Sequence, residues 1–223
     1  MPCPRFRGAW LSAVLLVAVS LLASSCGSPK GTALRLAPDR ERDGRRVFIA
    51  TEDWFFCDAR TRELYRVPLG YETDFASIPG LARWIVGSDR AQEAALIHDY
   101  LYAVGVQGDE VARKKADDVF LRALEEKRIP AWKRTAMYRT VRMKGSRAFG
   151  RGTEWDNFAD PATSRPACPS LARPQSAVVA VMDCDVFMRD FTHIEATYAL
   201  NLPVLPRAED GSCKAEDAIA ASR

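Results

Sequence analysis

His98 and Asp99 stand together in the string His98-Asp99-Tyr100-Leu101-Tyr102, and two further acids, Asp74 and Asp117, flank it in sequence. Residues of these types can do two kinds of chemistry. Oxygen ligands with one imidazole suit Mg2+, Mn2+, Ca2+ or Zn2+, so Asp74, His98 and Asp117 form a candidate set for a divalent metal, the one cofactor class suggested. An imidazole oriented by a carboxylate can activate water, so His98 and Asp99 form a candidate catalytic pair for hydrolysis. The same residues can also be purely structural. His98 donating to Asp74 or Asp117, Arg113 pairing with Asp117, and Asp74 bracing a turn would fix helix packing without any chemistry. With only two histidines, His98 and His193, a zinc centre of three imidazoles is excluded. Ser77, beside Pro79, reads as a helix N-cap, since no Gly-x-Ser-x-Gly elbow surrounds it. A second acidic group, Asp183, Asp185, Asp190, His193 and Glu195, has no recognised ligand spacing and reads as polar surface.

Helices must position these residues. The spacing predicts one from Ala91 to Val104, apolar nearly all round and therefore central, with three alanines sharing the face of His98 and leaving room beside it. A second is expected from Asp109 to Lys127, with an apolar stripe that includes Val111, Ala116, Val119, Phe120 and Ala123. Asp117 lies on the border of that stripe, i+4 from Arg113, and Asp118 lies nearly opposite it, facing solvent. A third helix is expected from Ala131 to Lys144, between Pro130 and Gly145, with Trp132, Met137 and Val141 as its apolar surface. A short helical segment is expected at Ile78–Val86. Before the helices, Arg46–Ala50, Trp54–Phe56 and Glu63–Val67 are rich in β-branched and aromatic residues, the last alternating outward and inward; a turn at Asp58–Thr61 makes a hairpin or small sheet. After them come Pro161, Pro166, Pro169 and Pro174 and a β-prone run at Ala177–Met182. The fold class is α+β: a small antiparallel hairpin or sheet packed on about three helices, with a cysteine-containing C-terminal extension.

The N-terminus reads as an export signal. Arg5 and Arg7 precede an apolar run from Ala9 to Ala23, too short to span a bilayer, and Ala23-Ser24-Ser25 leads into Cys26. This resembles a bacterial lipobox, with Ala23 where Leu is more usual. The resemblance implies cleavage before Cys26, lipidation of that residue, and retention at the periplasmic side of the outer membrane, since no Asp follows Cys26. Residues 26–45 are expected to be a flexible tether, 46–150 the folded domain, and 151–223 a Pro-rich connection and extension. The chain carries a net charge of +3, and removing Arg5 and Arg7 leaves +1, so the overall balance gives no support to a nucleic-acid partner. The partners expected are a membrane, through the lipid anchor, and a protein or envelope polymer.

Past Cys26 the cysteines are Cys57, Cys168, Cys184 and Cys213. An exported chain with an even number favours two disulfides. Three pairings are open. Loop closure favours Cys168 with Cys184, leaving Cys57 with Cys213.

The string Val67-Pro68-Leu69-Gly70-Tyr71-Glu72-Thr73-Asp74-Phe75-Ala76-Ser77-Ile78-Pro79, then Ala94-Ala95-Leu96-Ile97-His98-Asp99-Tyr100-Leu101-Tyr102, Arg113 with Ala116-Asp117 and Phe120, and Met137-Tyr138 together resemble a bacterial and phage family called domain of unknown function 1353. The resemblance covers about residues 46–150. It implies a fold boundary and a place to look for a site, and no reaction. Two function classes follow: an envelope lipoprotein with a non-catalytic binding or structural module, or a metal-assisted hydrolase of an envelope substrate.

Overall fold

The structure is a computed structural model, and it describes residues 34–42, 45–75, 89–151, 157–168, 177–198, 204–211 and 213. The expected leader, Cys26, Ser77 and the expected segment Ile78–Val86 lie outside the described residues. Residues Gly31–Arg223 form one compact unit. Within it, strands β1 (Leu36–Arg42), β2 (Arg45–Ala50), β3 (Trp54–Asp58), β4 (Glu63–Val67) and β5 (Glu72–Thr73) come first, and helices α1 (Asp89–Ala103), α2 (Glu110–Glu126) and α3 (Ala131–Lys144) follow. The C-terminal part holds β6 (Ala167–Cys168), β7 (Val178–Val181), α4 (Cys184–Arg189), α5 (Phe191–Tyr198) and β8 (Leu205–Pro206). The fold is α+β, and the strand pairs among the described residues are antiparallel.

β3 and β4 form the expected hairpin, with Trp54 opposite Val67 and Phe56 opposite Tyr65. The expected alternation of buried and exposed residues on β4 is absent: Leu64, Tyr65, Arg66 and Val67 are all buried. The reason is that both faces are covered. Trp54, Phe56, Tyr65 and Val67 join the core built on Leu96, Ile97, Val119 and Phe120 of α1 and α2. Phe55, Cys57 and Leu64 form a second core with Phe187, Phe191 and Ile194 of α4 and α5. The C-terminal segment thus packs on the sheet. β7 adds to β4 as a third strand, with Leu64 opposite Ala180. Arg66, fully buried between these layers, donates through Nη1 to the carbonyl of Tyr198 at 2.5 Å and lies 3.7 Å from Asp53.

Part of the segment expected to be tether is strand. β1 pairs with β2, Leu36 opposite Ala50, and β5 closes the other edge. Its polar composition is that of an edge strand, whose backbone bonds one neighbour; Leu36, and Leu34 just before the strand, pack on the core. Pro38 sits beside the register shift, a position an edge strand tolerates.

The three long helices match the periodicity within two residues at each end. α1 is central, with Ala94, Ala95, Leu96 and Ile97 fully buried. On α2, Asp109 is the N-cap and accepts from the backbone N–H groups of Val111 and Ala112. Val111, expected on the apolar stripe, is exposed because it stands in the first turn, beyond the reach of α1. On α3, Met137 and Val141 are buried, whereas Trp132 is 61% exposed. Trp132 is five residues from Met137, which places it far round the helix from the buried stripe.

The disulfides differ from the expected pairing. Cys57 bonds Cys184, and Cys168 bonds Cys213. Loop length ranked the pairings wrongly because β6–β8 pairing and the docking of α4 on β3 set which cysteines meet. Among the described residues, no helix is long and apolar enough to cross a membrane.

Candidate functional site

The polar residues singled out above divide into two groups, and Tyr102 takes part in both. The first is a sealed centre between the helices. His98 and Asp117 both have fully buried side chains, and His98 Nε2 lies 2.9 Å from Asp117 Oδ1. The Tyr102 hydroxyl donates to the same oxygen at 2.7 Å. Arg142 of α3 donates to Asp117 Oδ2 at 2.7 Å, and Arg113 Nη1 lies 3.5 Å from it. Asp117 accepts on both oxygens, so Nε2 of His98 carries the proton. Its Nδ1 is buried and has no hydrogen-bond partner among the described residues. Burial pushes the Asp117 carboxyl up, but the hydrogen bonds from His98, Arg142 and Tyr102 outweigh it, and the group is held below its ordinary range. Burial, and then the bond to Asp117, push the Tyr102 phenol up, so it stays a donor.

Local sequence explains this centre. The room that three alanines leave beside His98 is filled by the rings of Tyr102, at 4.1 Å between centroids, and Phe120, at 4.7 Å. Gly145, just past α3, lies against the Tyr102 hydroxyl, and a Cβ there would overlap it. Arg113 pairs with Asp117 as expected, but its closer partner is Glu110, which its Nη2 meets at 2.6 Å. Asp118 points away to Lys114, at 2.6 Å, and to the Tyr138 hydroxyl, at 2.8 Å. It is partly exposed, and it ties α2 to α3 where a solvated acid was expected.

The second group lines a cavity of about 230 Å3. Glu72, Thr73 and Asp74 come from β5 and the residue after it, Asp99 and Tyr102 from α1, and Asn157 from the loop before β6. The Thr73 hydroxyl donates to Asp99 at 2.5 Å and accepts from the backbone N–H of Phe75 at 3.0 Å. Phe75 has a left-handed φ of 53°, which turns the chain away after Asp74. Burial first, then the charges of Asp99, Asp74 and Glu72, push the neighbouring Tyr71 phenol well up.

The candidate metal set is therefore divided, with Asp74 at the cavity and His98 and Asp117 in the sealed centre. Among the described residues, no group of three His, Cys, Asp or Glu side chains is placed to hold a metal ion. The candidate catalytic pair is divided too. Asp99 lines the cavity, whereas His98 points into the helix interface. A general base must reach the proton it takes, and His98 has Nε2 committed to Asp117 and no exposed surface. In the tail, Asp183 caps α4 by accepting from the Asp185 N–H, and Asp185, Asp190 and His193 are exposed.

Sequence reasoning missed Arg142, Glu72 and Asn157. Glu72 had a signal, since residues 72 and 74 of an extended chain share a face. Arg142 had a weaker one: it follows Tyr138 by four residues, and both reach acids of α2. Asn157 had none, because a loop brings it.

Comparison with known proteins adds one finding. No curated protein and no solved structure matches the chain. From within β2 to near the end of α3, carrying Asp74, His98, Asp99 and Asp117, residues 48–141 match the family described as "Protein of unknown function (DUF1353)".

Proposed function

We propose that this chain is an envelope lipoprotein, anchored through Cys26 at the periplasmic side of the outer membrane, whose domain is a non-catalytic binding or structural module. The observation that carries the non-catalytic reading is the sealed pairing of His98 with Asp117, in which the imidazole and the carboxylate bond each other and neighbouring side chains rather than facing a cleft. The two disulfides support the compartment, since such bonds persist where the surroundings are oxidising. The cavity beside Asp74 and Asp99 is the concave feature that a partner's group can enter. Metal-assisted hydrolysis of an envelope substrate is the less favoured reading, because its metal set and its catalytic pair are each split between two places.

Thermal melts of wild type and His98→Ala, each with and without EDTA, test the module reading. Loss of the imidazole removes one of the two donors to Asp117 Oδ1, leaving Tyr102 there alone, and opens space beside Phe120, at a cost of about 1–3 kcal/mol. The expected result is a clearly lower melting temperature for His98→Ala and no change on chelation of either protein. A drop on adding EDTA to wild type alone would overturn the reading in favour of a metal site.

A further inference from the structure

The chain is nearly neutral as a whole, but one stretch is not. From Lys127 to Arg151 there are nine Lys and Arg and no Asp or Glu. Three of the nine are tied to acids of α1 and α2: Lys127 to Glu93, Arg134 to Glu125 and Arg142 to Asp117. Of the other six, Arg128, Arg139, Lys144, Arg147 and Arg151 are exposed, and Lys133 lies over the Trp132 ring at 5.4 Å.

The same stretch exposes apolar side chains. Trp132 and Met143 are 61% and 79% exposed. At 100° per residue, Trp132, Arg139 and Met143 fall within about 40° of one another, on the face of α3 opposite Met137 and Val141. An outer face with an indole near one end, a thioether near the other and arginine between them, flanked by basic residues, offers a membrane surface both apolar anchors and cationic contacts. The indole and thioether gain by entering the acyl boundary, and the long basic side chains reach the headgroups.

We infer that the outer face of α3 docks on an anionic lipid surface. The charge complementarity is local, and it selects anionic over neutral headgroups. This goes beyond the lipoprotein reading by adding a second, non-covalent membrane contact, and it requires no lipid on Cys26. A single exposed tryptophan among basic side chains could also stack on a nucleic-acid base, and the experiment separates the two.

The compact unit Gly31–Arg223, with both disulfides intact, is floated with phosphatidylglycerol–phosphatidylcholine vesicles and with phosphatidylcholine vesicles at low salt. Binding is expected with the anionic vesicles alone, with a blue shift of tryptophan emission, and high salt should release it. Lys133→Glu, Arg139→Glu and Lys144→Glu combined should lower partitioning at least about tenfold. The same change of net charge elsewhere, Arg60→Glu, Arg165→Glu and Arg189→Glu combined, should leave most binding in place. Trp132→Ala with Met143→Ala keeps every charge and should weaken binding and abolish the blue shift; melts confirm that each variant is folded. No binding, equal binding to neutral vesicles, or equal losses in the two charge-reversed proteins would overturn the proposal. Tighter binding to single-stranded RNA than to anionic vesicles would overturn it in favour of a nucleic-acid face. Because Cys26 is absent from this unit, failure here is distinct from failure of the lipid anchor.

Discussion

Asp117 is the residue on which the helix interface turns. It accepts from α1 through His98 and Tyr102 and from α3 through Arg142, so one carboxylate of α2 holds three helices in register. Its depressed pKa has a defined consequence. A group whose folded pKa lies below its unfolded value adds stability above the unfolded pKa, and that stability is lost as pH falls through the folded one. Stability should therefore decline as the protein is taken below about pH 4, the ordinary carboxylate range. Asp117→Asn should lower stability at neutral pH by on the order of 3 kcal/mol, because it removes the charge that Arg142 and Arg113 face and turns one acceptor oxygen into a donor against a donor, and should flatten the acid limb. Melts of both proteins across pH check this, and an unchanged acid limb in the variant would assign the titration to another group. Tyr102 links this centre to the cavity, since its hydroxyl serves Asp117 while its side chain lines the space beside Asp99.

Among the elements, the β3–β4 hairpin is covered on both faces. Its two cores are joined by the strands themselves, and Cys57–Cys184 staples the second of them where α4 packs on β3. That bond spans 127 residues of sequence, against 45 for Cys168–Cys213. A disulfide typically adds roughly 2–4 kcal/mol, and the chain-entropy argument favours the longer loop by about 1 kcal/mol. Cys57→Ser with Cys184→Ser should therefore lower the melting temperature more than Cys168→Ser with Cys213→Ser. Because the first pair pins the tail to the sheet, its loss should also speed proteolysis within α4 and α5. A greater loss of stability from the second pair would mean that β6 and β8, not the hairpin, anchor the tail.

For the molecule as a whole, the tail is part of the domain. β7 hydrogen-bonds β4, and Tyr198 receives the buried Arg66, so residues after 151 complete a surface that 46–150 alone would expose. Cys26→Ser should move the protein from the membrane fraction to the soluble fraction or leave it unprocessed, and wild type and variant that are equally soluble and equally processed would defeat the lipoprotein proposal. The sequence by itself determined the three long helices, because their 3.6-residue periodicity and end signals are local properties of the chain. It also carried the β3–β4 hairpin, the placing of Asp117 at the border of its stripe, and the family string. Everything that depends on two distant segments meeting came only from packing. β1 looked like tether because an edge strand needs few apolar side chains. β4 looked half-exposed because its second cover lies more than a hundred residues further on. The total charge concealed the basic run of α3, since a sum carries no position. Asp74, His98, Asp99 and Asp117 looked like one site because all are polar and close in sequence. The twist of α1 decides otherwise: its consecutive residues His98 and Asp99 point about 100° apart, one into the helix interface and one into the cavity.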